Sequence, residues 1–156
     1  MALRNIVKEG DPVLRKKCKP VTEVNDHVRD ILDDLTETLR EAQGIGLAAP
    51  QVAIVRRIVV IELDGKHYDL INPEIIESSG EQNEAEACLS VPGLCGIVKR
   101  PFTVKVRALD RDGKEVIYEG TDLLARAFCH ELDHLDGILY TDKASEVFEP
   151  EDDEEE

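Results

Sequence analysis

Basic residues are in short supply: 19 lysines and arginines face 34 acids, for a net charge of −15 and a pI near 4.6. Proteins that grip nucleic acid or anionic membranes along their surface need a basic footprint, so neither partner is expected. The shortage is uneven, because Glu149 to Glu156 holds seven acids and no base. Long apolar runs are also missing. Met1 to Lys8 has no signal-peptide core, and no later segment is long enough to span a bilayer, which points to a cytoplasmic protein. The four cysteines (Cys18, Cys88, Cys95, Cys129) include no CxxC pair. In a reducing compartment they read as thiols or metal ligands rather than bridges. No internal repeat is visible, and strands do not alternate regularly with helices, which argues against a doubly wound parallel sheet.

What is present fits one domain. The chain has 156 residues, 42% of them apolar, enough for a single core. We expect residues 1–145 to form one folded domain and 146–156 an acidic tail with too little apolar material to fold, hence disordered. Val28, Ile31, Leu32, Leu35, Leu39 and Ala42 recur at steps of three and four, the stripe of an amphipathic helix capped by Asn25 and ended by Gly44. Ile58 to Leu63 then reads as a strand before the turn Asp64-Gly65, and Val104, Val106 and Ala108 alternate into the turn Asp110 to Gly113 and a return strand at Val116 to Tyr118. From a cap at Thr121, Leu123 to Leu135 reads as a second long helix. The fold class is α+β, with small antiparallel or mixed sheets around that second helix.

That helix carries His130-Glu131-Leu132-Asp133-His134. Four helical residues rotate by about 40° net, so both imidazoles leave one face a turn apart and suit one metal ion. Glu131 lies roughly 60° from His134, placed to take a proton from a water that the ion activates. Leu132 points into the core with Leu124, Phe128 and Leu135, whereas Leu123 and Ala127 share the metal face and line a substrate pocket. Arg126, about 40° from His130 on the other side, reads as a solvated arginine at the pocket mouth. Two histidines need a third ligand. The downstream position that a metzincin protease fills with histidine is Tyr140, so the ligand must come from upstream. Cys88 and Cys95 are candidates that spacing cannot separate; His27 and His67 read as solvent residues. A zinc metallopeptidase and a non-catalytic metal-binding interaction module are the competing readings.

Three segments resemble a known family when taken together. Gly44-Ile45-Gly46-Leu47-Ala48-Ala49-Pro50-Gln51, Glu86-Ala87-Cys88-Leu89-Ser90 and His130 to His134 are similar, in order and spacing, to the three motifs of peptide deformylases, and the likeness covers about residues 3 to 143. The resemblance implies that Cys88 is the thiolate ligand beside His130 and His134. It implies hydrolysis of the N-formyl group from the initiator methionine of nascent peptides at the ribosome, releasing formate, with Glu131 as acid/base and Gln51 and the Leu89 backbone N–H as donors to the reacting oxygen. Gly44 and Gly46 are expected to let the backbone approach substrate, with Ile45, Leu123 and Ala127 completing the methionine pocket. One ion per chain is implied, Fe²⁺ natively, with Zn²⁺, Ni²⁺ or Co²⁺ as substitutes. Two positions depart from the family pattern: Ala87 replaces a glycine, which is expected to restrict the strand presenting Cys88, and Cys129 replaces a glutamine, which puts an oxidisable thiol near the site. A divergent deformylase of reduced activity is a further reading. The basic C-terminal helix of some members is replaced here by the acidic segment.

Overall fold

A computed structural model describes residues 2–150. Two helices and eight strands follow one another as α1 (Asp26–Ala42), β1 (Gly46–Ala48), β2 (Ile58–Leu63), β3 (Lys66–Ser79), β4 (Gln82–Cys88), β5 (Val91–Arg100), β6 (Thr103–Leu109), β7 (Glu115–Thr121), α2 (Leu123–Leu135) and β8 (Glu146–Phe148). They build two sheets, one ordered β1-β2-β3-β6-β7 and one ordered β4-β5-β8. Every pairing between these strands is antiparallel, so the architecture is α+β and the sheets are not mixed.

The run Ile58-Val59-Val60-Ile61 explains how the layers stack. All four side chains are fully buried, because successive residues of a strand face opposite sides and both sides are covered. Ile58 and Val60 join the α1 stripe of Val28, Ile31, Leu32, Leu35 and Leu39. Val59 and Ile61 join Tyr68, Leu70, Val104 and Val106 beneath Ala125, Phe128 and Leu135 of α2. The five-stranded sheet is thus sandwiched between the helices. A smaller cluster of Cys88, Val91, Val98, Leu139 and Tyr140 holds the three-stranded sheet and places Cys88 beside α2.

Local chemistry sets most of the boundaries. Asn25 caps α1 by accepting the Val28 N–H at 3.1 Å. The helix ends one residue earlier than the glycine suggested, on Gln43 in the left-handed region at φ 57°. Asp64 and Gly65 both have positive φ, as a two-residue hairpin of type I′ requires. Thr121 does not cap α2. Asp122 occupies that place without a side-chain cap, and its N–H donates to the Phe102 carbonyl while its own carbonyl accepts from Gln82 Nε2 at 2.8 Å. The start of α2 is fixed by distant strands rather than by its own sequence.

The expected acidic tail begins later than residue 146. Glu146–Phe148 form β8 by pairing with Cys95–Ile97 of β5, since Val147 and Phe148 supply apolar surface to a sheet edge. The rest of the tail, 151–156, lies outside the described residues. No helix among the described residues is long and apolar enough to cross a membrane.

Past α2 the chain turns at Gly137, φ 75°, so close to the Arg15 backbone that an added Cβ would lie 2.5 Å from its carbonyl oxygen. Gly137→Ala is therefore expected to lower unfolding free energy by about 1–3 kcal/mol or more through backbone strain alone. Urea denaturation checks this; an unchanged midpoint would show that the two segments do not meet.

Candidate metal centre and cavity

Cys88, His130 and His134 come together, one ligand atom from each lying within 4.8 Å of the others. Cys88 Sγ is 3.3 Å from His134 Nε2. Cys95 is not part of the group. The helix supplies the two imidazoles at its one-turn spacing, with ring centroids 5.1 Å apart, and the end of β4 brings the thiol from a different layer. Tyr140 stacks on the His130 ring at 5.9 Å and donates its hydroxyl to the Leu94 carbonyl. That position is a wall of the site and not a ligand. Gly96 on β5 leaves room for it, since a Cβ there would meet the Tyr140 ring at 2.9 Å.

The donor set suits a metal ion. One thiol and two imidazoles match the borderline-soft preferences of Zn²⁺ or Fe²⁺. The His130 ring is already oriented, because Nδ1 lies 2.8 Å from Glu86 Oε1 and leaves Nε2 for an ion. Burial alone would depress His130, but Cys88 and Glu86 raise its pKa well above the ordinary value. His134 goes the other way: burial, then the positive charges of His130 and Arg100, hold it well below. Burial would also raise Glu86, yet hydrogen bonds from Arg100 and His130 keep it down at about 2.

Glu131 is buried, and its Oε1 has no hydrogen-bond partner. Oε2 lies 4.0 Å from His130 Nε2. Burial pushes its carboxyl up to about 7, against the opposing charge of His130. A carboxylate with a vacant oxygen and that affinity is suited to pass a proton in either direction. Gly46 faces it directly: a Cβ would lie 2.7 Å from Glu131 Oε2. Gly46 therefore makes room for the Glu131 side chain, an explanation more specific than close approach to substrate. Gly44 likewise accommodates the Leu89 side chain, 2.9 Å from where a Cβ would stand.

A cavity of about 380 Å³ opens onto these groups, lined by Gly44, Ile45, Gly46, Gln51, Cys88, Leu89, Leu123, Ala127, His130 and Glu131, together with Ala87 and Arg126. All of the residues expected at the site except His134 line it. His134 is buried behind them. Ile45 and Leu123 are partly exposed apolar side chains, 38% and 45%, at its wall. Gln51 is buried on a 3-10 turn; its Oε1 accepts the Ala48 N–H at 3.0 Å, and its Nε2 donates to Ser90 Oγ at 3.0 Å and approaches Cys88 Sγ at 3.7 Å.

Several expectations change. Arg126 is buried rather than solvated, bonded to Glu86, Gln82 and Val98. Cys129 packs in the core under α2, where burial pushes its thiol up to about 11, so it is not a reactive thiol at the site. Ala87 sits where the β4–β5 register shifts, without a left-handed φ, so its methyl imposes no backbone strain. His27 is exposed, and His67 is a surface residue held between Glu62 and Asp69. The sequence reading missed Glu86, Arg100 and Tyr140. A signal existed for Glu86, which is two residues before Cys88 and so shares its strand face.

An α+β fold that brings one cysteine and the two histidines of an HExxH helix together beside an open cavity defines a protein of the metallohydrolase class. The family model for polypeptide deformylases matches residues 3–149. The chain belongs to that family, whose members are hydrolases acting on the N-formyl group. It is 54% identical to a peptide deformylase of Thermoanaerobacter pseudethanolicus, covering 99% of this chain and 98% of the relative. It is 56% identical to one of Caldanaerobacter subterraneus, over 97% and 96% of the two chains. Among solved structures, the peptide deformylase of Thermotoga maritima superposes with a TM-score of 0.91 at 37% identity, covering 94% of this chain and all of the other. That of Synechococcus elongatus, in complex with actinonin, gives 0.89 at 38% identity, covering 92% and 79%.

The contact between Gly46 and Glu131 generates a test. Gly46→Ala should keep metal stoichiometry, because neither residue is a ligand, yet lower turnover by about 10²–10⁴ as the carboxylate is displaced. Formate release measured beside metal content checks this, and wild-type turnover would refute it.

Proposed function

We propose that this chain removes the N-formyl group from the initiator methionine of newly made polypeptides, with Cys88, His130 and His134 holding one ion and Glu131 moving the proton. The observation that carries the reading is the vacant, buried Glu131 oxygen beside the three-donor cluster at the cavity. Binding metal alone needs no such group.

An ion on these donors supplies Lewis acidity, which makes water nucleophilic near neutral pH. Fe²⁺ is the native ion we assign, with Zn²⁺, Ni²⁺ and Co²⁺ as substitutes; the thiol and imidazoles accommodate each of them. Glu131 accepts a proton from water at Oε1 as the new C–O bond forms on the formyl carbon. The carbonyl oxygen gains negative charge and needs fixed donors. Gln51 Nε2 has one N–H committed to Ser90 and a second engaged only by the long contact to Cys88, so the second is the one to turn to that oxygen. The Leu89 backbone N–H supplies the other donor. Glu131 then gives its proton to the leaving amine as the C–N bond breaks and formate departs. Ile45, Leu123 and Ala127 offer the methionine side chain an apolar wall, with Gly44 and Gly46 keeping that wall thin. The substrate partner is a formylated nascent chain at the ribosome.

The test is formate release from a formyl-methionyl peptide after anaerobic loading with Fe²⁺. Glu131→Ala is expected to keep the ion and lose about 10²–10⁴ in kcat. Gln51→Ala should lose about 10²–10³ in kcat, as removal of one oxyanion donor does. Cys88→Ala should lose the ion, whereas Cys95→Ala should keep it. Stoichiometric metal without formate release favours a binding module, and cleavage within an unformylated peptide favours a metallopeptidase.

A further inference from the structure

The three donors come from elements that no main-chain hydrogen bond connects among the described residues: Cys88 ends β4, and His130 and His134 ride on α2. The helix packs mainly on the five-stranded sheet, whereas β4 belongs to the other sheet. Side chains must therefore hold the two halves of the donor set in register. Arg126, one turn before His130, makes more of those contacts than any other side chain of α2. Its Nη1 donates to Glu86 Oε2 at 2.5 Å and to the Val98 carbonyl at 3.1 Å, and its Nε donates to Gln82 Oε1 at 3.2 Å. One guanidinium on α2 thus grips β4 at two places and β5 at a third.

Resting on the metal-site reading above, we propose that Arg126 is a positioning residue for the ion: it fastens the histidine-bearing helix to the cysteine-bearing strand and fixes Glu86 so that Oε1 holds the His130 ring. Glu86 is two residues from Cys88, so the fastening point lies within one strand repeat of the thiol. Arg100 cannot substitute. Its Nε and Nη2 already bind the two Glu86 oxygens and its Nη1 binds Asp133, and being on β5 it does not anchor the part of α2 one turn before His130. A lysine could keep one contact to Glu86, but a point ammonium cannot reproduce a planar fork that meets three acceptors. Arg126 has no part in the proton transfers and touches no reacting atom.

The test measures metal affinity directly. Apo-protein is titrated with Zn²⁺ against a chromophoric chelator, and Co²⁺ absorption reports the ligand geometry. Arg126→Met, which fills similar volume without the fork, should weaken Zn²⁺ binding by roughly 10–100-fold, the usual effect of losing a group that orients a ligand, and should shift the Co²⁺ spectrum. Arg126→Lys should lie between that variant and wild type. A purely structural role would lower the thermal midpoint of the apo-protein while leaving Zn²⁺ affinity and the Co²⁺ spectrum as in wild type, and that result overturns the proposal. If Arg126→Met does not fold, Arg126→Lys decides: affinity and spectrum equal to wild type overturn it. Because these readouts involve no formyl substrate, a failure of the deformylase reading and a failure of this proposal are separate outcomes.

Discussion

The buried carboxylate of Glu86 is the constraint around which the site is assembled. Taking an ionised carboxylate out of water costs several kcal/mol, and only close countercharges with good hydrogen bonds offset it. Glu86 receives Arg100 on both oxygens, Arg126 on one and His130 on the other. Those partners lie on β5 and α2, so the carboxylate is satisfied only when strand, hairpin partner and helix have all reached their native places. Polar networks of this kind are costly when half-made and specific when complete. One of the contacts that offset the desolvation penalty also fixes the His130 ring, so the same network that satisfies Glu86 sets the orientation of an imidazole in the Cys88, His130 and His134 cluster.

Around that network the residues divide by how freely they are held. Cys88, His130, His134 and Glu86 are buried, whereas Ile45 and Leu123 at the cavity wall are partly exposed. Glu131 is buried too, yet one of its oxygens lacks a partner and its carboxylate is pressed against a glycine. Perturbed groups without a structural partner concentrate where chemistry is done. Both oxygens of Glu86 are hydrogen-bonded whereas Oε1 of Glu131 is not, and that contrast distinguishes the two residues more clearly than their shared residue type.

Legibility in the sequence followed the range of the interactions. Both helices and the two hairpins at Asp64-Gly65 and Asp110-Gly113 could be read, because an apolar stripe or a turn pair lies within a few residues. The histidine pair was equally local. By contrast, β4 contains Gln82-Asn83-Glu84-Ala85-Glu86-Ala87, with no β-branched or aromatic residue, and is a strand only because β5 pairs with it. Beyond the turn at Asp64-Gly65 no return strand was legible; Asn72 at φ 52° and Pro73 interrupt the pattern of β3, which runs on to Ser79. Spacing alone could not choose Cys88 over Cys95, since that choice depends on a register set across sheets. Arg126 was misread for the same reason. A helical projection shows which way a side chain leaves its helix, not that acceptors some 40 residues distant in sequence await it.

The short strand β8 has an implication for how the molecule behaves in company. The β4–β5 hairpin would otherwise present the outer rim of β5 as a row of unpaired amides and carbonyls, open to a strand from any neighbouring chain. Three residues of β8 occupy part of that rim, and the chain continues from them into Glu149, Pro150 and the acids that follow. Proline cannot donate to a growing ladder, and like charges on approaching copies repel. Glu149 and Pro150 thus follow directly on the strand that covers part of the rim, and neither a charged side chain nor a proline favours extending the ladder from that point.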